Sequence, residues 1–204
     1  MMSEEARLFL RKFMSRPKQI GSIVPSSVFL AQCMVEAVPW TSVGAVAELG
    51  SGTGAVTREI AKRVRPDTQV YLFEMDSRMR SRLADKYPRF KRAANAANLL
   101  RVMERNGTQQ LDCIVSCLPF FNFPASLRDE LMRQVIEALK PGGLFIAFQY
   151  SLQMKKQLSR HFKLETIKFV PWNMPPAFVY VCRKEEASRF DDLPLSTAAV
   201  SVLQ

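Results

Sequence analysis

Three glycines at alternate positions carry the clearest chemical signal in this sequence. Gly50, Gly52 and Gly54 follow an apolar run that contains Glu48 and ends at Leu49, and a helix-like pattern comes directly after them. A strand that ends in a glycine turn and opens a helix lets backbone N–H groups approach a nucleotide-like ligand, because no Cβ stands in the way. The turn contains no lysine, so it lacks the cation with which a P-loop binds a triphosphate. We therefore expect a nucleotide-like cofactor that is not a nucleoside triphosphate.

A second acidic position, Glu74, lies about 20 residues after the glycine turn and ends a strand-like run. A carboxylate at this point suits the ribose hydroxyls of an adenosine-containing cofactor. Two such cofactors fit: Gly50, Gly52 and Ala55 satisfy the loose dinucleotide fingerprint, whereas Glu48 with the three glycines resembles motif I of methyltransferases that use S-adenosylmethionine (SAM). A chain of 204 residues leaves little room for the substrate domain of a dehydrogenase. We expect SAM, with S-adenosylhomocysteine (SAH) as its product.

The elements that would position this turn alternate between strand and helix. Apolar runs between turn residues predict strands at residues 45–49, 69–74, 90–93, 112–117, 144–150, 164–170 and 178–183. Helical periodicity predicts helices at residues 3–14, 26–38, 56–64, 77–86, 96–105, 126–139 and 153–160. This order predicts an α/β fold with a mostly parallel sheet. We expect N-terminal helices within residues 1–40, a cofactor-binding domain over 41–184 and a tail over 185–204.

The last two predicted strands are joined by a short proline-rich link at residues 171–177. So short a link favours an antiparallel hairpin, because a parallel pair needs a long crossover. Six parallel strands with one antiparallel strand near the edge form the Rossmann-like sheet of class I methyltransferases, which the chain resembles over nearly its whole length. In such open sheets the ligand lies beyond the carboxyl ends of the strands.

The charge of the chain points to an anionic partner. The net charge is +10, from 29 Lys and Arg against 19 Asp and Glu, which suits nucleic acid, phospholipid head groups or an acidic ligand. The first eighteen positions mix cations with apolar residues, as in a helix that lies in a membrane interface, although an ordinary packed helix has the same pattern. The cations of this segment are Arg7, Arg11, Lys12, Arg16 and Lys18.

The four cysteines and the single histidine do not have the spacing of a metal site. Cys33, Cys113, Cys117 and Cys182 show no paired C-x-x-C motif, and His161 has no histidine partner. We expect no metal, reduced thiols and a cytoplasmic location. No apolar run approaches the roughly 20 residues of a membrane-spanning helix, so we expect any membrane contact to be peripheral.

The loop after the fourth predicted strand is where a methyl acceptor would be held. Many amino-methyltransferases place an Asn/Asp-x-Pro-aromatic tetrad there, which binds the planar amine of a base. The corresponding residues run from Cys117 to Phe120, and a cysteine cannot replace the strong acceptor of an amide. A buried amine that loses such a partner costs roughly 1–3 kcal/mol. This argues against an adenine-type substrate and favours an aliphatic amine.

Four segments, at residues 19–27, 48–54, 116–120 and 173–177, resemble the bacterial phospholipid N-methyltransferases, which are distant relatives of the rRNA adenine dimethylases. The resemblance implies methylation of the amine of phosphatidylethanolamine, through its mono- and dimethyl forms, toward phosphatidylcholine. It also implies binding to an anionic membrane at the inner face of the cell membrane, with no nucleic acid as partner. The alternatives are an ornithine-lipid N-methyltransferase, an RNA or protein methyltransferase, and a SAM-binding module without catalysis.

Methyl transfer from a sulfonium is an in-line displacement by an uncharged amine, so it demands orientation more than a strong base. We expect Ser116 or the Leu118 carbonyl to orient the amine. Aromatic faces would hold the methylated head group by cation–π contact. The candidates for these faces are Phe120, Phe121, Tyr150 and Trp172.

The family pattern assigns further residues to the two ligands. Asn95 stands where an aspartate usually meets the adenine amino group, and it keeps a carbonyl acceptor. Arg16 or Lys18 would pair with the lipid phosphate, and Asn173 would lie beside the substrate. The residues expected to contact SAM are Glu48, Gly50, Ser51, Gly52, Gly54, Glu74, Met75, Asn95, Ala96 and Ser116.

Overall fold

The structure is a computed structural model that describes residues 26–186, except for the side chain of Phe121. The helices are α1 (Val28–Glu36), α2 (Ala55–Ala61), α3 (Ser77–Lys86), α4 (Leu99–Arg105), α5 (Ala125–Ala138) and α6 (Lys155–His161). The strands are β1 (Ala45–Leu49), β2 (Gln69–Phe73), β3 (Lys91–Ala93), β4 (Leu111–Ser116), β5 (Leu139–Gln149), β6 (Lys163–Val170) and β7 (Ala177–Arg183). Some of the expected elements and residues lie outside the described residues. They are the expected helix at residues 3–14, Arg16, Lys18 and most of the tail.

The seven strands form one sheet in the order β3-β2-β1-β4-β5-β7-β6. Neighbours among β1 to β5 pair in parallel, while β7 is antiparallel to both β5 and β6. The predicted α/β class, the number of strands and the final hairpin are therefore confirmed. Because β1 and β4 are neighbours although β2 and β3 lie between them in sequence, the chain reverses direction across the sheet at this point. A ligand in an open α/β sheet binds at such a switch.

Helices cover both faces of the sheet, which explains why the central strands are buried on both sides. All five residues of β1 are buried. One core cluster joins α1, α2 and Leu83 of α3 to one face, and another joins α4, α5 and α6 to the other. Continuous burial of this kind is typical of parallel strands between two helical layers. The central strands are thus held rigidly, and their carboxyl ends are fixed relative to one another.

Two local departures from the predicted elements have clear causes. The predicted helix at residues 96–105 begins with a 3-10 turn, Ala96–Asn98, because the Asn95 side chain accepts the N–H of Ala97 and starts the turn before α4. The predicted strand at 144–150 is extended backward to Leu139, since Leu139 pairs with Leu111 before the register shifts. The residues between Leu139 and Leu144 include Gly142 with φ +75°, which explains the irregularity.

Candidate active site

A cavity of about 180 Å³ opens at the carboxyl ends of the central strands. Its walls come from the glycine turn after β1, the ends of β2 and β3, the loop after β4, and α5. Among the described residues the lining consists of Gly50, Phe73, Glu74, Met75, Ala94, Asn95, Ala96, Cys117, Leu118, Pro119, Phe123, Leu127 and Leu131. The position at the switch point is the one expected for the cofactor.

The glycine turn is held against β2 by its own backbone. The N–H groups of Gly50 and Ser51 both donate to Phe73 O, at 2.8 and 3.0 Å. Gly50 and Gly54 have φ of +80° and +85°, and a Cβ on either would come within 3.0 Å of a leucine side chain. A Cβ on Gly52, by contrast, would meet no atom within 4 Å. The turn is packed on one side and leaves open space at Gly52, so it fits a cofactor that approaches the backbone closely.

Glu74 connects this turn to the end of β2. Its Oε2 accepts the N–H of Gly52 at 2.6 Å, and its Oε1 accepts the N–H of Asp76 at 2.8 Å. A carboxylate offers about four acceptor sites, so two remain for ribose hydroxyls. Met75, Asn95 and Ala96 line the same side of the cavity. These residues therefore fit the adenosine part of SAM.

Glu48 lies behind the turn and outside the cavity lining. Its side chain is fully buried, and Oε2 accepts the hydroxyl of Thr57 at 2.6 Å. The buried hydroxyl of Ser51 is close enough to Glu48 to lower its pKa, and neither this hydroxyl nor Oε1 has another partner among the described residues. Loss of solvation raises the pKa of Glu48 to about 7, against the opposing hydrogen bond from Thr57. In the structure the Glu48 side chain thus joins β1 to α2 and does not line the cavity.

The other side of the cavity is apolar. Leu118, Pro119 and Phe123 follow β4, and Leu127 and Leu131 lie on α5. Glu74 is the one charged residue among the described lining residues. This side therefore suits the uncharged part of an acceptor better than a phosphate or a carboxylate.

Cys117, the first residue of the tetrad that ends at Phe120, lines the cavity. Desolvation raises its pKa well above the ordinary value, and the negative charges of Glu48 and Glu74 add to the effect. The thiol therefore stays protonated near neutral pH. A neutral thiol is a weak donor and a weak acceptor, so it can neither bind a planar amine tightly nor act as a nucleophile.

Three residues expected to contact the reacting groups make other contacts in the structure. Ser116 is fully buried and its hydroxyl accepts the N–H of Leu118 at 3.3 Å. The carbonyl of Leu118 accepts from Gln149 Nε2 at 3.1 Å and from the N–H of Phe120 at 2.9 Å, so both of its lone pairs are used. The ring of Phe120 is 1% exposed and meets Phe145 edge-on. Ser116 and the Leu118 carbonyl shape the loop, and Phe120 belongs to the core.

The remaining expected substrate residues that the structure describes are not among those that line the cavity. Tyr150 packs edge-on against Phe148, and Trp172 is 75% exposed in the β6–β7 loop. Asn173 is buried, accepts the N–H of Ser27 and donates to Pro175 O, so its amide joins chain segments instead of facing a ligand. Arg16, Lys18 and the side chain of Phe121 lie outside the described residues. The expected aromatic cage is therefore not assembled by the described residues.

Several lining residues were not anticipated from the sequence. Phe123, Leu127 and Leu131 are ordinary apolar residues of a loop and an amphipathic helix, and Phe73 ends a buried strand. A weak signal exists for Phe123, which closes the aromatic run of the acceptor loop. No group of three or more His, Cys, Asp or Glu within the described chain is placed to hold a metal ion. None of the helices within residues 26–186 has both the length and the apolar character needed to cross a membrane.

Comparisons with known proteins agree with this geometry. A family model described as a methyltransferase domain matches residues 46–143. The crystal structure of 1,6-didemethyltoxoflavin-N1-methyltransferase from Burkholderia thailandensis, with 1,6-didemethyltoxoflavin and SAH bound, superimposes with a TM-score of 0.69 at 14% identity over 89% of each chain. The N-methyltransferase NodS from Bradyrhizobium japonicum, in complex with SAH, gives a TM-score of 0.62 at 11% identity over 84% of this chain and 97% of that one. These likenesses establish the fold.

A relative of higher identity places the chain within a family. The ornithine lipid N-methyltransferase of Singulisphaera acidiphila is 36% identical over 187 residues, which cover 86% of this chain and 94% of that protein. The expected kinship with rRNA adenine dimethylases gains no support from these relatives. SAM, and not a dinucleotide, is the cofactor of this methyltransferase domain. The chain belongs to the family of SAM-dependent N-methyltransferases that includes the ornithine lipid N-methyltransferase of S. acidiphila.

Proposed function

We propose that the protein transfers the methyl group of SAM to the primary amine of an aminolipid, and that its substrate is an ornithine lipid. The observation that carries this proposal is the 36% identity to an ornithine lipid N-methyltransferase over 94% of that protein. Phosphatidylethanolamine, the substrate expected from the sequence, becomes the second candidate. Both lipids present an aliphatic amine near a negative group, so the choice between them depends on the relative.

The two sides of the cavity support an aliphatic amine as acceptor. On one side Gly50 and Glu74 fit the adenosine of the cofactor, while Leu118, Phe123 and Leu131 form the apolar side. Cys117 replaces the amide that would bind an adenine-type amine. An aliphatic amine needs no planar partner, so it loses nothing from this replacement.

SAM supplies a methyl group on a sulfonium, and the chain must bring a neutral amine into line with it. Glu74 is the charged residue of the described lining, and both of its oxygens already accept backbone N–H groups. Cys117 stays a neutral thiol. No strong base therefore lines the described cavity, and the ammonium group releases its proton to water. The apolar side lowers the cost of this step, because it disfavours the charged form of the amine.

Incorporation of a labelled methyl group into defined lipids tests the proposal. The protein is incubated with methyl-labelled SAM and mixed micelles that contain an ornithine lipid, phosphatidylethanolamine or a neutral diacylglycerol. We expect label in the ornithine lipid and at least about tenfold less in phosphatidylethanolamine, since a tenfold preference needs only about 1.4 kcal/mol. Equal or greater labelling of phosphatidylethanolamine would overturn the assignment of the substrate.

Two further measurements distinguish a wrong assignment of the substrate from a wrong assignment of the reaction. RNA and a lysine-rich protein serve as acceptors in parallel reactions, and label in either without label in lipid would reject the aminolipid. Glu74→Gln is the reference with weakened cofactor binding, because it weakens the acceptor for the ribose. A neutral amide accepts a weaker hydrogen bond than a carboxylate.

A further inference from the structure

The large apolar side chains that are exposed within the described residues all lie in one region. Trp172 and Met174 are each 75% exposed, Phe29 is 58% and Phe169 is 57% exposed. Val28, Tyr150 and Leu152 complete the group, which we name the apolar rim. Scattered exposed apolar residues are normal on a protein surface, but a cluster of them marks an interaction site.

Contacts between elements bring the members of the apolar rim together. Ser27, which precedes Val28, donates its N–H to Asn173 in the β6–β7 loop at 2.9 Å. On the sheet, Phe178 pairs with Gln149 and with Phe169, so the ends of β5 and β6 flank the start of β7. The start of α1, the segment after β5 and the β6–β7 loop therefore meet at one edge of the sheet.

The apolar rim lies at the same edge of the sheet as the cavity. β5 and β6 run parallel to β1 and β4, so their carboxyl ends point the same way. A direct link exists as well, because Gln149, the residue before Tyr150, donates to the carbonyl of the cavity residue Leu118. A surface that covered the apolar rim would thus lie beside the entrance for substrate.

We propose that the apolar rim docks on an anionic lipid bilayer, with Trp172 and Met174 inserted at the level of the head groups. Aromatic and aliphatic side chains with nearby cations are the composition that binds membrane interfaces. Lys155 and Lys156 follow Leu152 closely and are exposed. The inference builds on the proposed function, because a bilayer at this edge would present the aminolipid to the cavity.

The charge of the chain agrees with an anionic surface as the occupant. Residues 1–25 carry five of the cations and join the described chain at Ser26, two residues before Val28. This basic segment is therefore joined to the described chain next to the apolar rim. The net charge of +10 adds long-range attraction to anionic lipids.

Co-sedimentation of the full chain with vesicles tests the docking surface. The vesicles are either phosphatidylcholine alone or a mixture with phosphatidylglycerol, and they contain no methyl acceptor. The test variant is W172E/M174E. The control is Q109E/Q110E, which changes two exposed residues just before β4. These two residues lie at the amino ends of the parallel strands, opposite the apolar rim. Both variants lower the net charge equally. We expect binding of wild type and control to the anionic vesicles, and at least roughly tenfold weaker binding of W172E/M174E.

Fluorescence of Trp172 shows what covers the apolar rim. The chain has two tryptophans, so Trp40→Phe leaves Trp172 as the reporter. We expect solvent-exposed emission without lipid, and a blue shift with shielding from acrylamide when anionic vesicles are added. A reporter that is already shielded without lipid would mean that residues outside the described range cover the apolar rim, and this would overturn the proposal. Dissociation of a dimer by W172E/M174E would overturn it in favour of a second copy.

The vesicle test and the lipid methylation test fail independently. Equal sedimentation of W172E/M174E and the control would overturn the docking surface, even if ornithine lipid in micelles is methylated. Unchanged SAH binding by W172E/M174E in calorimetry is the check that the variant keeps its fold and its cofactor site.

Discussion

At the scale of single residues, the site depends on acidic groups with different environments. Glu74 is tied to two backbone N–H groups and faces the cavity, while Glu48 is buried behind the glycine turn. Both belong to the motif that the sequence reveals, but the burial of Glu48 follows from the packing of β1 between its neighbours. The burial of Glu48 has a consequence for stability.

Glu48 makes the stability of the protein depend on pH. A glutamate has an ordinary pKa of 4.5, and burial raises that of Glu48 to about 7 in the folded protein. Between these values the folded state holds a proton that the unfolded state has released. The free energy of unfolding therefore falls as pH rises from 4.5 to 7, by at most about 3 kcal/mol.

The Glu48→Gln variant has no ionisable group at this position. Its free energy of unfolding should therefore lack the decrease that Glu48 causes as pH rises. Urea unfolding at pH 5 and pH 8 measures the effect, and we expect the variant to lose less stability between the two than wild type does. Glu104→Gln, the same change at an exposed position of α4, should keep the wild-type difference. If Glu48→Gln showed the full wild-type fall, the assigned pKa would be incorrect.

The sequence predicts some site residues better than others, for physical reasons. The glycine turn and Glu74 follow from local spacing, because a turn and a strand end are set by neighbouring residues. The carbonyl of Leu118 does not, since it is occupied by Gln149 from a strand 31 residues away. Phe120 and Phe123 belong to one aromatic run, and only the 3-10 turn Phe120–Asn122 decides that the first faces the core and the second the cavity.

At the scale of elements, the end of α5 is held by a residue that lies 46 positions after it. The buried Lys184 donates from Nζ to the carbonyls of Ile136 and Leu139, both at 2.7 Å. Its backbone also exchanges hydrogen bonds with Gly142 and Gly143. The lysine therefore joins the helix end, the start of β5 and the end of β7.

Lys184→Met keeps much of the side-chain volume and removes the donor. The two carbonyls then lose a charged partner, and we expect a loss of at least about 2 kcal/mol in the free energy of unfolding. Urea unfolding measures it, with the exposed Lys156→Met as the matched control. A loss below 0.5 kcal/mol would show that water replaces the lysine, in line with the spread of surface substitutions.

The elements themselves were largely predictable, because apolar runs of β1, β2 and β4 and the helical periodicity of α3 are local patterns. The sequence does not predict which residues on the apolar face of α5 contact the core and which line the cavity. Leu127 and Leu131 lie on the same apolar face as the core residues Val135 and Ala138. An apolar stripe predicts that a face is covered, but not which part of it borders a cavity.

At the scale of the whole molecule, the cofactor site connects several elements, so its occupation should stabilise the entire fold. SAH at 100 times its Kd adds about 2.7 kcal/mol to the free energy of unfolding. For a chain of this size the melting temperature should rise by about 5 to 10 °C. Differential scanning calorimetry measures the rise.

Two controls make the thermal measurement specific. NAD at the same concentration should leave the melting temperature unchanged, since the family uses SAM. Glu74→Gln should need roughly tenfold or more SAH for the same rise, because a charge-assisted hydrogen bond to ribose is worth about 1.5–3 kcal/mol. A response to NAD without a response to SAH would contradict the cofactor assignment.

The place of β7 in the sheet has a consequence for biosynthesis. This strand comes after β6 in the sequence, yet it lies between β5 and β6 and forms hydrogen bonds with both. During synthesis, the backbone groups of β5 on this edge therefore lack hydrogen-bonding partners until residues 177–183 have left the exit tunnel of the ribosome. Nascent chains halted before this point would expose that edge to other chains, so they are the species for which a chaperone would matter most.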